Sequence, residues 1–147
     1  MVQFNISSFV HRHDLDRLTR LVNKSNTYHR FVNIYGGSNS GKTTFLEILD
    51  DLGTYRVPLE FDINNITLPR DKFIIIEEDD FDESMMFNSI NYSNITQNLY
   101  ELNSIIIYIC NYDITECLSN GNDRYFTKIH FPFNFTKILN SQPIMGG

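Results

Sequence analysis

The stretch NIYGGSNSGKTTFLEIL, Asn33 to Leu49, decides the fold. Its centre, GGSNSGKT from Gly36 to Thr43, fits G-x-x-x-x-G-K-[ST] at every fixed position. Glycines at those places let the backbone turn its N–H groups inward around phosphate oxygens, and a helix that follows adds its positive amino end. Gly36, Gly37, Ser38, Asn39, Ser40, Gly41, Lys42, Thr43 and Thr44 are therefore the candidate nucleotide cradle. Within it Lys42 is expected to reach the β- and γ-phosphates and the Thr43 hydroxyl to hold Mg²⁺. At average residue frequencies such a match arises by chance in on the order of one chain in a few hundred. Here it also stands where the chemistry needs it. RFVNIYG before it reads as a buried strand, and KTTFLEILDDLG after it places Phe45, Leu46, Leu49 and Leu52 on one helical stripe that stops at Gly53.

Working outward, Leu15, Leu18, Leu21 and Val22 recur at helical spacing in DLDRLTRLVN, with Asp14 as the expected N-cap. TYRVPLEF suggests a short strand, with Pro58 pointing to an edge or a strand end. KFIIIEEDD is an apolar run that ends abruptly in acid, as a buried parallel strand does. Phe81 to Asn103 reads as one or two short helices. SIIIYICN is another buried strand, and YFTKIHFPF a last one. Strands alternating with helical or loop crossovers predict an α/β fold in three layers around a mainly parallel five-stranded sheet. The expected organisation is a helical lead-in over 1–30 and one nucleotide-binding domain over 31–147.

A phosphate loop needs partners to hydrolyse anything: a carboxylate for the Mg²⁺ shell and a second to activate water. FIIIEEDDF supplies four acids. Strand alternation favours Glu77 for the metal shell and Glu78 as general base, whereas an alignment on DDF selects Asp79 and Asp80 instead. At the end of the next apolar strand stands Asn111, placed to orient the attacking water and report on the γ-phosphate; taken alone, an Asn after a strand is a turn former. Arg124 precedes the last strand, where a guanidinium can stabilise transition-state charge on a neighbouring subunit's ATP.

Composition narrows the classes. The 147 residues are 41% apolar and 20% charged, an ordinary globular balance. No apolar run approaches the roughly 20 residues of a membrane span, and MVQFNISSFVHRH has no basic stretch followed by an apolar block, so neither a membrane span nor a secretory leader is expected. Net charge is −6 with a pI near 5.1, which argues against a non-specific nucleic-acid coat. Cys110 and Cys117 lack metal-ligand spacing and read as free thiols in a reducing compartment. The chain has no alanine, so its helices are expected to depend on packing.

Taken together, GGSNSGKT, FIIIEE, SIIIYICN and DRYFTKIHFPF run in an order and at a spacing that resembles the superfamily 3 helicases, the AAA+-related ATPases of small DNA viruses and their replication initiators. The resemblance covers roughly Phe31 to Phe135. It implies ATP and Mg²⁺ as ligands and hydrolysis serving viral or plasmid DNA replication. It gives the family roles to Lys42, Thr43, Glu77, Glu78, Asn111 and Arg124, with Arg124 acting in trans within a homo-oligomeric ring such as a hexamer. It also implies an intracellular setting, host cytoplasm or nucleus if the source is viral. Two departures stand out. Family members contact DNA through a hairpin with a basic tip between the acidic strand and the Asn strand, and Phe73 to Asp123 contains no Lys or Arg. Tyr92 and Tyr100 are the residues there that could stack on a base, and Arg12, Arg17, Arg20 and Lys24 are the alternative basic surface. Family members also carry an oligomerisation bundle ahead of the loop, where this chain offers about one helix. Weak binding of single-stranded DNA is therefore expected. Two other classes stay open: a non-catalytic or weakly catalytic nucleotide-binding oligomerisation module, and a small nucleotide kinase, which would need a lid with several arginines.

Overall fold

In the computed structural model, residues 6–24, 29–57, 67–77, 90–118 and 121–135 are described. Five strands form one sheet: β1 (Phe31–Tyr35), β2 (Thr54–Arg56), β3 (Phe73–Glu77), β4 (Ile105–Cys110) and β5 (Phe126–His130). Their order is β2-β3-β4-β1-β5, and every pairing is parallel. Among the described residues three α-helices accompany them: α1 (Arg12–Val22), α2 (Lys42–Leu52) and α3 (Tyr92–Leu102).

Side-chain alternation along the strands builds two cores. Val32, Ile34, Phe73, Ile75, Ile105, Ile107, Ile109 and Ile129 face one side and pack with Phe45, Leu46 and Leu49 of α2 and Leu18 and Leu21 of α1. Phe31, Ile74, Ile76, Ile106, Tyr108 and Phe126 face the other and pack with Tyr92, Ile95 and Leu99 of α3. The molecule is thus a three-layer α/β sandwich with a five-stranded, wholly parallel sheet. Continuous burial explains why these strands read as unbroken apolar runs. All six residues of β4, the middle strand, are buried, and each of its isoleucines contributes about 1.5–3 kcal/mol relative to exposure.

Helix ends follow local chemistry. Gly53, with φ +111, stops α2 and donates its N–H to Leu49 O at 3.0 Å. The Asn91 side chain caps α3 by accepting from the Asn94 N–H at 3.3 Å, and Asn103 ends that helix in the left-handed region at φ +54.

The structure corrects several details. α1 begins at Arg12 with His11 at its N-cap, and Asp14 lies inside the first turn, buried against Arg17 (3.3 Å) and His13 (3.4 Å). Leu52, expected on the buried stripe of α2, is exposed. The strand expected over TYRVPLEF is described for Thr54–Arg56 alone, an edge strand pairing with β3. Phe81–Ser89 and the four residues Glu78 to Phe81 lie outside the described residues, so the general-base candidate Glu78 and its alternatives Asp79 and Asp80 have no described position.

Candidate functional site

β1 ends at Tyr35, and the chain leaves the sheet at its carboxyl edge, between β4 and β5. Gly36 N–H donates to Cys110 O (3.3 Å) on β4, and Phe131 N–H donates to Tyr35 O (2.7 Å) from the far side. Gly36 has no room for a side chain, since a Cβ would run into the Phe131 carbonyl and the Ser40 hydroxyl. The loop then turns through two left-handed positions, Asn39 at φ +62 and Gly41 at φ +91. Asn tolerates that region and Gly favours it. Gly41 is the N-cap of α2 and carries no side chain to close the helix end. The first turn of α2 contains no acid. The positive end of the helix dipole therefore meets no acid from its own first turn.

This loop lines a cavity of about 760 Å³, bounded by Ser38 to Thr44, by Asn111, and by Ser8, Phe9 and Phe135. Lys42 folds its ammonium back into the loop. It donates to Gly36 O, to Gly37 O at 2.8 Å, to Ser40 Oγ at 3.3 Å and to Asn111 Oδ1 at 3.2 Å. Two residues singled out separately in the sequence, 69 positions apart, thus meet at hydrogen-bond distance. Strand order makes this possible: β4 lies directly beside β1, with Tyr35 level with Cys110, so the residue after each strand end sits at the same height.

Glu77 ends β3, one strand beyond β4, with Ile109 as its register partner. Alternation puts it on the same sheet face as Ile75, the face that α2 covers. Its side chain is exposed and stands outside the cavity wall. Among the described residues no group of three His, Cys, Asp or Glu could hold a metal ion. Mg²⁺ bound to a nucleotide does not need one, since it takes one or two protein oxygens and completes its shell with phosphates and water.

Arg124 is elsewhere. It lies in a 3-10 turn, Asn122–Tyr125, that leads into the amino end of β5. Phe126 is level with Phe31, so five strand residues, roughly 16 Å at 3.3 Å each, separate that end from Gly36. The guanidinium is fully exposed, lies 5.0 Å from the Tyr125 ring centroid and donates to Tyr125 Oη at 3.1 Å. That hydrogen bond, together with the pull of the Tyr125 oxygen, raises its pKa. Arg124 therefore does not meet the Gly36–Thr44 loop of its own chain.

The tyrosines expected to stack on bases behave differently. Tyr92 is buried, packed against Phe31 (4.9 Å) and stacked on Tyr125 (5.1 Å), and burial pushes its phenol pKa strongly up. It offers no face to a nucleic acid. Tyr100 is exposed, with Arg30 over its ring at 4.3 Å. The cations of α1 are in part matched internally: Arg17 pairs with Asp14 and Arg20 with Asp16, while Lys24 donates to Asp71 O at 2.8 Å. Burial lowers the Lys24 pKa.

Three wall residues, Ser8, Phe9 and Phe135, belong to no sequence motif. Phe9 stacks on Phe131 (5.5 Å) and meets Phe45 edge-on (5.6 Å). Phe135 donates its backbone N–H to Asn39 O at 2.8 Å. Phe9 and Phe135 close on Gly41 from outside, and a Cβ there would come within 2.8 Å of both rings. Nothing but their aromatic character marks Phe9 and Phe135 in the sequence. Comparison with protein-family models gives no match, and comparison with curated proteins gives none. Among the described residues no helix is long and apolar enough to cross a membrane.

Proposed function

We propose that this chain binds ATP with Mg²⁺ and hydrolyses it, as an ATPase related to the superfamily 3 helicases that serve viral or plasmid DNA replication. The observation that carries this reading is the 3.2 Å contact between Lys42 Nζ and Asn111 Oδ1 inside the wall of a glycine-loop cavity at the head of α2. It supports a site in which a charge for the phosphates and an amide for the water act on the same atoms.

In this reading the loop amides and Lys42 receive the β- and γ-phosphates, exchanging the lysine's carbonyl partners for phosphate oxygens. Thr43 and Glu77 would hold Mg²⁺, which would supply positive charge to offset that of the phosphates. Glu78 takes a proton from water as its oxygen bonds to the γ-phosphorus, and the bond to the ADP oxygen breaks. The Asn111 amide orients that water. Catalysis is positioning and electrostatic stabilisation, with no covalent enzyme intermediate. The phenyl groups of Phe9 and Phe135 form the apolar side of the cavity, where a base would lie. Arg124, about a strand's length away, acts only on a nucleotide held by another copy, in a ring or at least a dimer. Nucleic-acid contact is weak for the single chain, given its net charge of −6 and the absence of Lys and Arg from Phe73 to Asp123.

One observation favours a second reading, nucleotide binding with little turnover: Glu77 stands outside the cavity wall. A nucleotide kinase is not supported, since no arginine lines the cavity among the described residues. The deciding test is Glu78→Gln, expected to retain ATP binding and cut turnover about 10²-fold or more. If Asp80→Asn does this and Glu78→Gln does not, the acid pair is Asp79 and Asp80. If the unmodified chain binds ATP without turnover, the second reading stands.

A further inference from the structure

Asn33 is an amide in the middle of β1, flanked in sequence by Phe31, Val32, Ile34 and Tyr35, and it is fully buried. Its strand pairs on both sides through backbone bonds and needs no polar side chain at that place. A buried amide is kept only where it is partnered, since one left without partners costs about 1–3 kcal/mol. The partners it does have lie at the carboxyl end of β4 and just beyond the turn that follows it. Its Nδ2 donates to Tyr108 O (3.2 Å) and faces Cys110 Sγ (3.6 Å), and its Oδ1 accepts the Ile114 N–H (3.0 Å). Cys110 Sγ in turn donates to Tyr112 O at 2.8 Å. β4 ends at Cys110, so the parallel ladder no longer fixes residues 111 to 113. Asn33 grips this turn on both sides of Asn111, before it at Tyr108 and Cys110 and after it at Ile114, 81 residues away in the chain. At the apex Asn111 points its Oδ1 at Lys42.

We propose that Asn33 is a positioning residue for ATP hydrolysis, setting the Asn111 amide through the Cys110–Ile114 turn; this rests on the hydrolytic reading above. Asn33 touches no nucleotide. Its effect is on where the Asn111 side chain stands when the γ-phosphate displaces Lys42 from it.

The test is a double-mutant cycle on turnover. Asn33→Ala, and Asn33→Leu, which keeps the branched side-chain shape, are each made in the unmodified chain and in Asn111→Ala, with folding checked by thermal melting. Both Asn33 variants are expected to lower kcat at least about 10-fold, a part of the roughly 10²–10³ that losing an oriented hydrogen-bonding group costs, with KM and the dissociation constant for ATP moving less than about threefold. In the Asn111→Ala background the same changes should lower kcat no further. An equal fall in both backgrounds, or unchanged kcat for both variants, would overturn the proposal. In the unmodified chain the Ile114 amide should exchange as slowly as the β4 ladder amides with and without Mg·ATP, and rapid exchange there would overturn it independently of any variant. A chain that binds ATP and never turns it over would remove the hydrolytic reading and the positioning role with it, an outcome distinct from additive mutants in an active enzyme.

Discussion

Removing the Lys42 ammonium separates a binding site from a mere turn. In Lys42→Ala four acceptors lose their donor: Gly36 O, Gly37 O, Ser40 Oγ and Asn111 Oδ1. Three belong to the same short loop, and the contacts with Gly37 and Asn111 are exposed to water, so solvent takes the lysine's place and the fold loses within about 1 kcal/mol. A nucleotide has no such substitute. One charge-assisted hydrogen bond to phosphate is worth about 1.5–3 kcal/mol, which is roughly a 10- to 150-fold rise in the dissociation constant. Turnover should fall further, by about 10² or more, because the ammonium acts where charge develops. Fluorescent-nucleotide titration, phosphate release and thermal melting on the same preparations give the three numbers. An unchanged dissociation constant with unchanged turnover would refute the phosphate role. A melting temperature lowered by 10 °C or so, which at this size is about 3–4 kcal/mol, would show Lys42 to be a strut of the loop instead.

Two further outcomes follow from local geometry. Gly41→Ala forces a side chain into φ +91 and into the Phe9 and Phe135 rings at 2.8 Å, and should destabilise the chain by about 2–4 kcal/mol; Gly37→Ala, which meets nothing within 4 Å, should change stability by less than about 0.5 kcal/mol, and equal melting temperatures for the two would contradict the loop geometry. His29 has its pKa lowered from 6.5 by burial. Above that pH both folded and unfolded chains hold it neutral; below it the unfolded chain takes up the proton first, so stability should fall as pH drops from about 6.5. His29→Gln should flatten that part of the stability–pH curve, and a variant with the same slope as the unmodified chain would remove the effect.

Much of this architecture can be read from side-chain chemistry along the chain. The isoleucine runs of β3 and β4 are β-branched and uninterrupted, which marks strands buried on both faces. Lys42, Thr43 and the left-handed Gly41 follow from the phosphate-loop spacing. The strand order does not follow from any local signal. That β4 separates β1 from β3, and so brings Asn111 to Lys42, is a matter of pairing across 75 residues or so, set by which apolar faces the helices cover. The same holds for Phe9 and Phe135, which reach Gly41 only because α1 and the segment after β5 both fold over the first core. Tyr92 looks like a surface aromatic beside Asn91 and Ser93, yet it is anchored by Phe31 and Phe126. Asn33 looks like one of many asparagines and is the buried link between two strands.

Triphosphate binding by the glycine loop is measured by calorimetric titration of the unmodified chain with Mg·ATP. We expect saturable binding at one site per chain, with a dissociation constant between about 1 µM and 1 mM, the usual span for such substrates, and displacement by inorganic tripolyphosphate. No heat of binding and no displacement at millimolar nucleotide would contradict it.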